Sequence, residues 1–204
     1  MALRLADGLT LYFARHGETE ANVEKRFQGH TSDTPLTEKG LWQAQEIASI
    51  IAKCVTDPAT LSYVSSPLHR AERTMEIVRA TLGLPADGFA TDPRLIEIDL
   101  GAWDGLTHAE AKARFPEAYK TREADKWNVD VPGGGENYKS VAERLESFIG
   151  DLSADTFAIS HGAATRILRG LFAGMTWQQM SALDEPQGVV FSVRGSVVVR
   201  HDPA

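Results

Sequence analysis

Arg15, His16 and Gly17 stand directly after a short apolar and aromatic run, Leu9 to Ala14, in the tract Ala14-Arg15-His16-Gly17-Glu18-Thr19. A second histidine–glycine pair, His161-Gly162, follows the apolar run Thr156 to Ser160. An imidazole can serve as a nucleophile or as a donor to an anion, and a guanidinium can hold a phosphate through two parallel hydrogen bonds. Arg70, soon after Ser65-Ser66-Pro67, could close on the same anion as Arg15. Glu97 lies between Ile96 and Ile98. A carboxylate so flanked is either the solvent face of a half-buried strand or a desolvated general acid. Taken singly, each residue has an ordinary explanation: a histidine–glycine pair after a strand is commonly incidental, and Arg70 and Arg73 on a helix read as solvated charge.

The elements that must position these groups follow from the hydrophobic pattern. Leu9 to Ala14, Leu61 to Ser65 and Thr156 to Ser160 are short apolar runs that read as buried strands, so the residues after them sit at strand carboxyl ends, where open α/β sheets collect ligands. Thr37 caps a helix whose apolar positions, Leu41, Ala44, Ile47, Ala48 and Ile51, recur at helical spacing over about four turns. Leu68, Ala71, Met75 and Val78 mark a second helix ending near Gly83, Ser140 to Ile149 a third, and Ala163 to Phe172 a fourth. The last begins right after His161-Gly162, so its free N–H groups and positive dipole end would favour an anion at the same edge.

Leu95 to Leu100 reads as extended, Thr107 to Tyr119 as weakly helical, and Lys120 to Glu136 as a polar surface loop ending in Pro132 and three glycines. Val189 to Val193 and Ser196 to Arg200 flank Gly195 as a terminal hairpin. Strands alternating with helices predict a three-layer α/β/α sandwich with a mostly parallel central sheet, in a single domain spanning residues 1–204.

Composition narrows the partners. With 204 residues, 43% of them hydrophobic and 24% charged, the chain can bury a large core, and a net charge of −7 lacks the broad basic field expected for nucleic acid or membrane binding. A local basic pocket for a small anion remains compatible with that balance. No apolar run approaches the ~20 residues that span a bilayer, and Met1 to Leu9 is no signal peptide. Cys54 is the only cysteine, so an internal disulfide and multi-cysteine metal sites are excluded and a cytoplasmic location is favoured. The scattered histidines show no paired metal-ligand spacing. Gly133 to Ser140 nearly spells a phosphate-binding P-loop but places Tyr138 where the loop needs glycine, so it reads as a turn into a helix.

Taken together, the tracts resemble a known family. Arg15-His16-Gly17-Glu18-Thr19, Asn22, Arg26 to His30 and Pro35 to Gly40 look like the opening of the histidine phosphatase superfamily. Ser65 to Ala71, Leu95-Ile96-Glu97 with Gly101 to Gly105, Pro132 to Glu136, and Ser160-His161-Gly162 follow in the family's order over nearly the whole chain. The resemblance implies that His16 attacks phosphorus to give a phosphohistidine, and that Arg15, Arg70 and His161 surround the transferring group. Glu97 would protonate the leaving oxygen and then deprotonate water. Thr19, Asn22, Gln28, Gly29 and Gly162 match positions that approach the substrate, and no metal or other cofactor is required.

Implied, then, is metal-independent hydrolysis of a small phosphorylated metabolite. Two alternatives stand beside it. One is a cofactor-dependent phosphoglycerate mutase primed by 2,3-bisphosphoglycerate; the other is a non-catalytic phosphate-binding module. Mutases are similar over the core but carry a longer segment before the glycine-rich loop, with paired arginines and a lysine. Here Tyr119 to Pro132 is short, Lys120, Arg122 and Lys126 are separated, and His108 stands where the lysine would. That departure favours hydrolysis. The segment between Glu97 and Gly133 is also long enough to cover one side of the pocket, with Trp103 as a wall, which suits small molecules better than phosphohistidine on a protein.

Overall fold

A computed structural model describes residues 2–31 and 33–203. Its strands are β1 (Leu11–Arg15), β2 (Ser62–Ser65), β3 (Ala90–Thr91), β4 (Thr156–Ser160), β5 (Val190–Arg194) and β6 (Val197–His201). The helices are α1 (Glu20–Val23), α2 (Glu38–Cys54), α3 (His69–Thr81), α4 (His108–Arg114), α5 (Pro116–Ala124), α6 (Tyr138–Gly150), α7 (Gly162–Phe172) and α8 (Trp177–Ser181). The strands form one six-stranded sheet in the order β3-β2-β4-β1-β5-β6. β3, β2, β4 and β1 run parallel, whereas β5 is antiparallel to both β1 and β6.

Alternation along β1 explains the layering, because successive side chains of a strand point to opposite faces. Leu11 and Phe13 join the core beneath α6 and α7, while Tyr12 and Ala14 join the core beneath α2 and α3. β4 does the same with Ala158 on one side and Phe157 and Ile159 on the other. A third, smaller cluster around Trp103, Ala111 and Val131 lies under α4 and the approach to α6. Among the described residues no helix is long and apolar enough to cross a membrane.

The expected α/β sandwich with a mostly parallel sheet is what forms, and the terminal hairpin turns at Gly195 as read. Three expectations are corrected. Leu95 to Leu100 is no strand: it closes a 3₁₀ turn, Pro93–Leu95, and continues without sheet pairing. Lys120 to Glu136 is not simply a surface loop, since its first residues belong to α5, and Arg122 and Val131 are buried. Finally α6 begins at Tyr138, because the Asn137 side chain accepts the Ser140 N–H and caps the helix two residues earlier than the apolar pattern shows.

One close approach fixes the loop after β1. A Cβ on Gly17 would strike the Gly40 carbonyl, and a Cβ on Gly40 would strike Glu18 O, so the loop lies directly on the first turn of α2. Only glycine at both positions permits that contact.

Candidate active site

Parallel pairing of β1 with β4 sets Arg15 opposite Ser160, so the next residues, His16 and His161, leave the sheet side by side. Their rings lie 5.1 Å apart at 59°. His16 N donates to Ser160 O at 3.0 Å, and Ser66 N to Ile159 O at 2.9 Å, which ties the carboxyl ends of three strands together.

Each imidazole has one ring nitrogen held by a neighbour. His16 Nδ1 is 2.8 Å from Gly17 O. A carbonyl only accepts, so the proton sits on Nδ1 and the Nε2 lone pair is left without a partner among the described residues. His161 Nε2 is 2.7 Å from Ser66 Oγ, which already accepts the Leu68 N–H at 3.3 Å. Ser66 Oγ can donate to Nε2 or accept from it, and His161 Nδ1 is buried without a hydrogen-bond partner among the described residues. Burial, followed by the charge of Arg15 and Arg70, pushes His16 well below the ordinary histidine value of 6.5. Burial and Arg70 do the same to His161.

Those shifts have a consequence for stability. Below pH 6.5 the unfolded rings take up protons that the folded rings refuse, so stability falls as pH falls towards the depressed folded values. Each ring contributes a slope of at most about 1.4 kcal/mol per pH unit. The denaturation midpoint should therefore drop between pH 7.5 and 5 more steeply for the wild-type chain than for His16→Ala, which lacks one buried ring. Parallel curves in urea melts would contradict this.

Arg70, at the start of α3, is 1% exposed. It reaches Asp33 Oδ1 at 3.2 Å and donates to the carbonyls of Gln28 and Gly29 at 3.2 and 3.0 Å. Arg15 donates to Glu185 O at 2.9 Å, with the Glu185 carboxylate at 3.6 Å. Glu97 accepts from Ile98 N and Ala164 N on one oxygen and from Ala163 N on the other, at 2.9, 3.2 and 3.1 Å. The group that accepts the free donors at the N-terminus of α7 is therefore the Glu97 carboxyl itself.

A cavity of about 600 Å³ opens over these groups. Arg15, His16, Asn22, Gln28 and Glu97 line it, as does Trp103 on the side formed by the segment after Glu97. Arg70 and His161 lie behind the lining. Thr19 and Gly29 do not reach the cavity either. Thr19 is fully buried, caps α1 and donates to Gln28 Oε1 at 2.8 Å. Gly29 sits between Arg70, which its carbonyl accepts, and Asp104 Oδ1, to which its N–H donates at 2.9 Å. Gly162 lies beneath the Glu185 carboxylate, which a Cβ there would strike.

Sequence reading missed Glu185 and Gln187. Gln187 Nε2 donates to His16 O at 3.2 Å and to Asn22 Oδ1 at 2.9 Å, bracing the loop that carries His16. Both residues precede β5, and since β5 runs antiparallel to β1, its amino end meets the carboxyl end of β1. Nothing in the hairpin's own pattern shows that β5 pairs with β1.

Residues 11–194 match the sequence pattern of the histidine phosphatase superfamily (branch 1). The chain is 36% identical over 168 residues to phosphoglycerate mutase-like protein 4 of Arabidopsis thaliana, covering 79% of this chain and 70% of that protein. Its fold is similar to the crystal structure of the alpha-ribazole phosphatase from Shigella flexneri, with a TM-score of 0.79, 27% identity and 96% of each chain covered. A mycobacterial glucosyl-3-phosphoglycerate phosphatase is similar at a TM-score of 0.78 and 28% identity, over 97% of this chain and 100% of the other.

Proposed function

The chain belongs to the histidine phosphatase superfamily, and from that premise we propose that it is a phosphatase that hydrolyses a small phosphate monoester through phospho-His16. The observation that carries the proposal is the His16 ring, with its Nδ1 proton committed to Gly17 O and its Nε2 left open beside the His161 ring. Phosphatases among its relatives, named for a ribazole phosphate and a glucosyl-phosphoglycerate, support the reaction class.

In this scheme Nε2 of neutral His16 displaces the ester oxygen at phosphorus, forming the N–P bond as the P–O bond breaks. Arg15, Arg70 and the His161 ring offset charge on the non-bridging oxygens. Glu97 gives its proton to the departing oxygen, then takes one from the water that cleaves the phosphohistidine, which returns His16 and Glu97 to their starting states. Asn22 and Gln28 border the ester. Because the depressed value of His16 keeps its ring neutral in mild acid, the nucleophile stays competent there.

Hydrolysis is favoured over mutase action by His108. Its Nδ1 lies 3.1 Å from Tyr119 OH, its ring packs against Phe27 at 4.2 Å, and burial pushes its value down. A neutral ring there supplies no fixed positive charge of the kind a lysine would. We place the enzyme in the cytoplasm as one catalytic domain, consistent with its single thiol, Cys54.

Guanidinium and imidazole groups carry the charge offset here, so phosphate release from 4-nitrophenyl phosphate should persist in excess EDTA. A 2,3-bisphosphoglycerate-primed mutase assay run beside it should be slow. Loss of release in EDTA would remove the metal-independent mechanism, and mutase turnover with little release would replace hydrolysis by transfer.

A further inference from the structure

Glu185, on the loop between α8 and β5, brings a carboxylate into the cavity that holds His16. Its side chain is 29% exposed. One oxygen, Oε1, lies 2.9 Å from Arg166 Nη1, and the other, Oε2, lies 3.6 Å from Arg15 Nη1. Carboxylate and guanidinium meet over Gly162, where a Cβ would strike Glu185 Oε2 and sit 3.3 Å from Arg15 Cζ. The acid therefore stands beside Arg15 and one residue from His161, two members of the cage proposed for the transferring phosphate.

That carboxylate does little to position its neighbours. Arg15 is already anchored by the Glu185 main-chain carbonyl, which accepts from Nη1 at 2.9 Å, and 3.6 Å is too long for a second hydrogen bond. Arg166 has further acceptors in Tyr138 OH at 2.5 Å and Ser181 O at 3.4 Å. What the side chain supplies is negative charge, which at a few ångströms cancels part of the field of both arginines and repels a second anion. A cage that offsets charge in the transition state also attracts the free product, because inorganic phosphate carries similar charge on the same oxygens. Glu185 opposes that attraction.

We infer that Glu185 sets how loosely the enzyme holds its product: its fixed carboxylate weakens the binding of inorganic phosphate in the cage and so favours release once the phosphohistidine has been hydrolysed. The inference rests on the phosphatase reading above and adds a residue to it. Glu185 acts through Arg15 and through its own field rather than on the reacting atoms.

Removing the charge while keeping the shape tests it. In Glu185→Gln the inhibition constant of inorganic phosphate against 4-nitrophenyl phosphate should fall by at least about threefold. Added phosphate should also raise the melting temperature of this variant more than that of the wild-type chain. Glu185→Asp keeps the charge, so its inhibition constant should lie closer to the wild-type value than to the Glu185→Gln value. The direction is a readout that a merely structural role would not move: damage to the loop loosens Arg15 and weakens phosphate binding, whereas lost repulsion tightens it. Glu185→Ala should tighten binding too, and replaces Glu185→Gln as the test should the amide perturb folding. A smaller fall, no change or a rise in the inhibition constant on removal of the charge, or an equal fall in Glu185→Asp, would overturn the inference. The melting shift needs no turnover and reports on the carboxylate by itself. Absence of turnover on 4-nitrophenyl phosphate would instead overturn the phosphatase reading, so the two failures are distinguishable.

Discussion

Replacing His16 by alanine should lower phosphate release by roughly four orders of magnitude or more, because the variant has no atom to form the covalent intermediate. The neighbouring ring does not take over. His161 turns Nε2 to Ser66 Oγ and its Nδ1 is buried, so neither nitrogen is open to phosphorus. Quenching the wild-type enzyme in alkaline detergent during turnover should trap base-stable, acid-labile phosphate on protein, and the His16→Ala enzyme should trap none. Retention of one tenth of wild-type activity by the variant would remove His16 as nucleophile, whatever its position in the fold.

Glu97→Gln should slow hydrolysis of alkyl phosphates by about 10²–10³, within the range for loss of a general acid, and slow aryl phosphates far less. An alkoxide is a poor leaving group without a proton, whereas 4-nitrophenolate departs unassisted. Two features of the site shape the choice of variant. Glu97 accepts the Ala163 N–H on one oxygen and the Ala164 N–H on the other and so closes the first turn of α7, and the amide oxygen of glutamine keeps one of these two acceptors. Alanine would open that turn as well and lose activity for two reasons at once. Equal losses on both substrate types for Glu97→Gln would leave Glu97 as a helix cap without a proton-transfer role.

The histidine–glycine pairs could be placed from sequence because each follows a short apolar strand, and strand ends are local features. Thr37 as a cap and the faces of α2, α3 and α7 were legible for the same reason, since residues a turn apart decide them, although Leu41, expected on the buried face of α2, is exposed. Glu97 was legible as a residue and not as a geometry. Its flanking isoleucines suggest alternation along a strand, but the segment is held by the N-terminus of α7 and by Arg144, which donates to Glu97 O at 3.1 Å. Those partners are distant in sequence, so no local pattern records them.

Thr19 and Gly29 show the limit from another side. Both belong to tracts that approach the ester, yet Thr19 turns inward to Gln28 and Gly29 offers its carbonyl to Arg70. Residue type and spacing name the neighbourhood of a site; the backbone's path decides which side chains enter the cavity. The same holds for Arg122, which reads as one more charge in a polar stretch until packing against Tyr138 buries it.

By itself, then, the sequence determined the layered α/β class, the strand ends that carry His16 and His161, and an acidic balance that still allows a local basic pocket. Strand register placed the two rings 5.1 Å apart, and the antiparallel pairing of β5 with β1 delivered Glu185 and Gln187 to the same edge. Packing also set Arg122 of α5 over the Tyr138 ring of α6. These outcomes belong to the tertiary structure because pairing and packing join residues far apart in the chain. Their energies depend on which surfaces meet, a quantity that neither propensity nor periodicity encodes.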